Sequence, residues 1–308
     1  MAKPMRMRQD KARGTLLGLA VGDALGSTLE FSRPTPDSPL HTEIVGGGPF
    51  KISPGAHTDD TCMAMAMATS LLERNGFDPV HLMDEFIQWY RGGKYSVSGK
   101  CDDIGNTVKE ALEKWERERV TPFCGNIENK ASGNGAIMRL APIVIWNRHS
   151  SQNALIYAVL QSMLTHSSAL CIKYAKLLAS ILWNGTLDPR TIEDLNLVKL
   201  PEDETWPRYP WGDVMSSMKA AVWAVRTTTT FEDALIKAVN LGGDSDSVGA
   251  ITGQIAGMIY GSVGIPGRWK DALIAGDQIE ALAEDLFQNA PEVPMGDLDR
   301  GVFDWPEV

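Results

Sequence analysis

Two stretches of the chain carry side chains able to do chemistry together: "HTDDTCMAMAMATSLL" (57–72) and "LGGDSDSVGAITGQIAGMIYG" (241–261). In the first, Asp59 and Asp60 stand between Thr58 and Thr61; in the second, Asp244, Asp246 and Ser247 occupy a glycine-rich turn. Each cluster sits directly in front of an apolar, helix-forming run. One acid at a helix start is ordinary, because it caps free backbone N–H groups and meets the positive end of the helix dipole. Adjacent acids exceed that need, since carboxylates repel one another unless a cation neutralises them. Hard divalent cations such as Mg²⁺ or Mn²⁺ take oxygen ligands, and four carboxylates with Thr58, Thr61 and Ser247 supply them. The two turns therefore make a candidate metal site, provided that they meet.

Other readings of these turns are weaker. Asp59 or Asp244, taken alone, serves equally well as a helix cap. An EF-hand loop is suggested by Asp244, Asp246 and Gly249 at positions one, three and six, but Ile255 stands where the closing bidentate Glu is needed and Val248 where another oxygen belongs. An aspartate-rich helix of the prenyl-transfer type lacks its second acid, because Met63 lies four positions after Asp59.

The elements that position these turns read as helices. Amphipathic runs cover 79–91, 103–118, 152–164, 169–183, 213–226 and 268–287. "DALIKAVNLGG" puts Ala234, Leu235, Ala238 and Val239 on one face, follows a capping box at Thr229 and Glu232, and stops at Gly242. The "MAMAM" of 63–67 alternates, yet Met and Ala are helix formers and neither is β-branched, so it reads as a buried helix. Glycines at 249, 253, 257 and 261 strip one helix face and predict tight packing against another backbone. No convincing strand occurs, and the fold class is all-α. No composition break marks a second domain, so a single domain over 1–308 is expected, with a core of about 12–290 and flexible ends. Pro- and Gly-rich loops at 32–55 and 201–212 are long enough to be functional.

The 308 residues are 44% hydrophobic, enough for a full core. A net charge of −10 argues against nucleic acid or an anionic membrane as partner, though not against a small phosphorylated ligand. Cys62, Cys101, Cys124 and Cys171 form no Cys-x-x-Cys pair and read as free thiols, placing the protein in the cytoplasm. Asp23 interrupts the only apolar run near the N-terminus, which argues against a signal peptide, and no run reaches a membrane-spanning length.

Five segments in order, "GLAVGDALGSTLEF" (18–31), "HTDDT" (57–61), "DIGNT" (103–107), "SGNGAIMRLAP" (132–142) and "GGDSDSVGA" (242–250), resemble the ADP-ribosylglycohydrolases, with the bacterial dinitrogenase reductase-activating type as nearest match. That resemblance implies an orthogonal all-helical bundle with two Mg²⁺ or Mn²⁺ ions. It also implies a reaction that removes ADP-ribose from a modified protein side chain. The ligand set it carries over is Thr58, Asp59, Asp60, Asp244, Asp246 and Ser247, with Glu30 as the acid beside the metals. Ser247 departs from the commoner Thr but keeps the hydroxyl. Ala169 stands where relatives often have Pro, three residues after His166.

Breaking the bond at the ribose anomeric carbon demands stabilised positive charge, a leaving-group proton and an activated water. Glu30 and Asp103 are the catalytic candidates. The resemblance aligns Asp103, and not Asp102, with the acid that faces the guanidinium of an ADP-ribosylated arginine; the residues alone also allow either Asp to cap the following helix. Gly133, Asn134 and Gly135 offer backbone amides to a pyrophosphate. Met138 can pack near the ribose, and Tyr209 and Trp211 can stack on a ring. Asn106 and His166 complete the substrate-binding candidates; a lone His in an apolar helix also fits a purely structural role. The expected activity is hydrolysis of ADP-ribosylarginine on a protein, releasing ADP-ribose, by a monomer. The alternatives are the same metal site acting on ADP-ribosylserine, O-acetyl-ADP-ribose or ADP-ribosylated nucleic acid, or a non-catalytic ADP-ribose binder.

Overall fold

A computed structural model describes residues 7–128, 130, 132–188, 193, 195 and 211–292. Among them lie twelve α-helices: α1 (Gln9–Gly26), α2 (Asp59–Glu73), α3 (Pro79–Gly92), α4 (Asn106–Glu118), α5 (Ala141–Trp146), α6 (Ser151–Thr165), α7 (Ala169–Asn184), α8 (Val214–Arg226), α9 (Phe231–Val239), α10 (Ser245–Tyr260), α11 (Gly267–Ala272) and α12 (Gly276–Asn289). Two short 3-10 helices, Ser27–Leu29 and Ser262–Gly264, and isolated β-bridges, including Gly133 with Asp213, accompany them among the described residues.

Three helices are buried on all sides. In α1 every residue from Gly14 to Gly26 is buried; so are Asp59 to Ala68 of α2 and Ser245 to Met258 of α10. The alternating Met63, Met65 and Met67 therefore fill the core from both faces of one helix. α1 and α10 run antiparallel with their backbones in contact. A Cβ on Gly253 would lie 1.8 Å from the Gly18 carbonyl oxygen, one on Gly257 1.8 Å from that of Gly14, and one on Gly249 2.2 Å from that of Gly22. The expected stripe of small residues thus meets a second stripe on α1. This pairing sets the C-terminus of α1 against the N-terminus of α10, where the Ser245 hydroxyl donates to Gly26 O at 2.7 Å and Phe31 N donates to Gly243 O at 2.6 Å.

Peripheral helices are delimited by ordinary signals. α3 starts at Asp78, whose carboxylate accepts from Val80 N and His81 N, has Pro79 next, and ends on left-handed Gly93. Three boundaries differ from the sequence reading. The amphipathic run 268–287 is two helices, because Ile274 N leaves the helical pattern and donates to Gly55 O. The cap of α9 is Thr230, which accepts from Asp233 N, rather than Thr229 with Glu232. α4 begins at Asn106, not at 103, and has no side-chain cap.

Candidate functional site

The two acidic turns meet. The Thr58 hydroxyl oxygen lies 3.2 Å from Asp246 Oδ2 and 3.4 Å from Asp60 Oδ2, although Thr58 and Asp246 are 188 positions apart. Ser247 Oγ lies 3.4 Å from the same Asp60 Oδ2. The capping alternative falls away here: the N-cap residues, Thr58 of α2 and Asp244 of α10, make no side-chain cap hydrogen bond of their own, and Asp244 instead accepts from Asn134 Nδ2 at 2.5 Å.

Above these turns opens a cleft of about 420 Å³. Its lining contains Glu30, Asp59, Asp103, Asn106, Gly133, Asn134, Gly135, Met138, His166, Asp244 and Ser247, all of them sequence candidates, together with Trp211. Thr58, Asp60 and Asp246 lie beneath it, at most 2% exposed. Trp211 stands at the rim with the Arg33 guanidinium 5.1 Å from its ring centre. Tyr209 lies outside the described residues. Asp102 turns away from the cleft to Ser96, Ser98 and Lys100, so only Asp103 of that pair faces it.

The donor set fits hard cations. One oxygen each from Asp23, Asp60 and Asp246 fall within 4.8 Å of one another, and so do one each from Glu30, Asp103 and Asp246. Asp60 Oδ1 and Glu30 Oε2 are buried with no hydrogen-bond partner among the described residues. Thr58 has one hydroxyl proton for three nearby carboxylates, and at 2.8 Å Asp23 Oδ1 takes it. The remaining short O···O approaches are ones that a divalent cation relieves. Burial first, then the neighbouring carboxylates, push Asp59, Asp60 and Asp246 well above the usual carboxylate range. The same causes push Glu30 up to about 10; burial and Asp244 push Asp103 up to about 6. A cation would reverse that balance.

The match to known proteins agrees with this geometry. The family model for ADP-ribosylglycohydrolase matches residues 4–294. The chain belongs to the ADP-ribosylglycohydrolase family. It is 40% identical over 299 residues to a Serratia proteamaculans protein named ADP-ribosylarginine hydrolase Tri1, covering 92% of this chain and 80% of that one. To the ADP-ribosyl-(dinitrogen reductase) glycohydrolase of Rhodospirillum rubrum it is 30% identical, covering 86% and 90%. A solved structure described as an ADP-ribosylglycohydrolase-related protein complex superposes with a TM-score of 0.78 at 34% identity, over 93% of this chain and all of that one.

Two residues of this ADP-ribosylglycohydrolase site escaped the sequence reading. Asp23, fully buried in α1, accepts from Thr58 N and Oγ1 and from Thr61 N and Oγ1, at 2.6–3.1 Å. Both its oxygens are thereby filled, and it acts as the missing cap of α2, supplied from another helix. The available signal was a charge in the middle of the apolar "GLAVGDALG" run, which has no place in a core without partners. Arg139, also fully buried, lies behind the acids, and burial lowers it to about 9 against the opposing pull of Asp59.

Proposed function

We infer that this ADP-ribosylglycohydrolase removes ADP-ribose from arginine side chains of proteins, reversing mono-ADP-ribosylation. The observation that carries the reading is 40% identity, across 92% of the chain, to a protein named for that activity. The chemistry of the cleft supports it. Thr58, Asp59, Asp60, Asp244, Asp246 and Ser247 would hold two divalent ions, Mg²⁺ or Mn²⁺. Two overlapping groups of acidic oxygens that share Asp246, one with Asp23 and Asp60 and one with Glu30 and Asp103, put the needed donors close together. When bound, such ions supply a water of lowered pKa and fix the ribose hydroxyls.

The rest of the work falls to the chain itself. Hydrolysis breaks the bond between the ribose anomeric carbon and a guanidino nitrogen; the electron pair leaves with that nitrogen, and water oxygen bonds to carbon. Asp103, on the cleft lining, would receive the planar cation, since a carboxylate accepts both of its parallel N–H groups. Glu30, whose Oε2 is buried with no described hydrogen-bond partner, would take the proton that the water gives up. Gly133 to Gly135 line the same cleft and form the proposed diphosphate wall, although the Asn134 N–H is already taken by Gly212 O, and the Asn134 side chain ties that wall to Asp244. Because α2, α4 and α10 all contribute to one cleft, the reading takes the chain as one catalytic domain. Free ADP-ribose released from an ADP-ribosylarginine substrate in the presence of Mn²⁺ is the expected result. A cleft that binds ADP-ribose without cleaving the bond would refute it.

A further inference from the structure

Arg139 is a buried cation surrounded by neutral acceptors. Its Nε donates to Gln161 Oε1 at 3.2 Å, and its Nη2 to Gln161 O at 3.3 Å and to Thr165 Oγ1 at 2.8 Å. Its Nη1 points at Met63 Sδ, and the Phe86 ring lies 4.7 Å away. Nothing in the proposed reaction uses this arginine directly. The Thr165 hydroxyl it binds sits 2.8 Å from His166 Nδ1. From there the His166 ring reaches the cleft wall: a Cβ added to Gly133 or Gly135 would come within 3.2 Å of Nε2. No described residue hydrogen-bonds to Nε2.

This chain of contacts has one consistent set of protons. Arg139 can only donate, so it fills a lone pair of Thr165 Oγ1. If Nδ1 were also protonated, two donors would converge on Oγ1 and the buried hydroxyl proton would have no acceptor, which costs roughly as much as a lost hydrogen bond. With the hydroxyl donating to Nδ1, Thr165 Oγ1 and His166 Nδ1 are both satisfied and the ring proton must be on Nε2, open to the cleft.

We propose that Arg139 and Thr165 are positioning residues that lock His166 as the neutral Nε2–H tautomer, aiming one N–H donor at an acceptor oxygen of a diphosphate-bearing ligand beside the Gly133–Gly135 turn. Burial and the adjacent Arg139 charge lower His166 to about 3, so the ring stays neutral near pH 7. The ligand half of the proposal rests on the ADP-ribose reading of the cleft; the tautomer half does not.

Long-range ¹H–¹⁵N correlation spectra of the full chain, with the His166 ring assigned by its loss in His166→Gln, separate the two. Wild type and Thr165→Ser should show a protonated-type Nε2 and an unprotonated Nδ1. Thr165→Val and Arg139→Met should show a mixed or inverted pattern, and Thr165→Val should bind ADP-ribose about tenfold more weakly by calorimetry while Thr165→Ser restores affinity. A protonated Nδ1 in the wild type overturns the proposal, and so does a folded Thr165→Val that keeps both the Nε2–H pattern and wild-type affinity. An Nε2–H ring in a wild type that does not bind ADP-ribose would instead remove the hydrolase reading and leave the tautomer lock standing.

Discussion

At the scale of single residues, the acids divide by what they face. Asp103 lines the cleft and is the proposed partner of the substrate guanidinium, so Asp103→Ala should cut hydrolysis of arginine-linked ADP-ribose by about 10²-fold or more, the usual range for a lost proton-transfer or positioning group. Paired assays on arginine-linked and serine-linked substrates check the assignment; equal loss on both would remove its specificity for arginine. Asp23 lies beneath the cleft lining, beside Asp60 and Asp246, and holds Thr58 and Thr61 by four backbone and hydroxyl donors. Asp23→Asn replaces an acceptor oxygen by a donor amide there, and Mn²⁺ affinity measured by calorimetry should fall about 10- to 100-fold, as for other residues that orient ligands. His166 gives a pH test. Its folded value of about 3 lies below the ordinary 6.5, so the stability it contributes is present above about pH 6.5 and is lost as pH falls toward 3. Wild type should therefore lose up to about 1.4 kcal/mol more per pH unit over that window than His166→Gln, read from denaturant midpoints. The two acidic turns were legible as residue types at fixed spacing, whereas Glu30 stood out only through the family resemblance. Asp23 was not, because what gives it meaning are donors on α2, which the sequence around it does not contain.

At the scale of elements, the α1–α10 contact decides where the turns stand. Gly253→Ala would drive a methyl group into the Gly18 carbonyl, and two backbones cannot yield as a flexible side chain can. A loss of about 1–3 kcal/mol in unfolding free energy is expected, with weaker Mn²⁺ binding because Asp23 and Asp246 ride on the two helices being pushed apart. Gly92→Ala, at an open position at the end of α3, is the control and should change stability by less than about 1 kcal/mol in either direction. The spacing of 249, 253 and 257 announced a close approach; its partner was hidden, because Gly14, Gly18, Gly22 and Gly26 gain meaning only once the antiparallel register is known. The break between α11 and α12 was hidden for a similar reason: Ile274 N leaves the helix for Gly55 O, a bond invisible in local periodicity. Thr230 rather than Thr229 caps α9 because the run of four threonines at 227–230 offers the same signal in more than one register.

At the scale of the whole molecule, the all-α class followed from repeated amphipathic runs, and no described helix is long and apolar enough to cross a membrane. The acidic centre couples the fold to a ligand. If cations bridge α2 and α10, Mn²⁺ at a hundred times its dissociation constant should add about 2.7 kcal/mol to stability, and a chelator should remove that gain. A melting temperature indifferent to both would contradict the coupling. Two turns whose Thr58 and Asp246 stand 188 positions apart in sequence meet at the proposed catalytic metal centre. Its most direct test is the rate of ADP-ribose release from an ADP-ribosylarginine protein with Mn²⁺, with and without chelator, for the wild type, Asp60→Asn and Asp246→Asn. The account predicts release that requires the cation and is abolished equally by either substitution; release that survives chelation, or persists in one of the two variants, would contradict it.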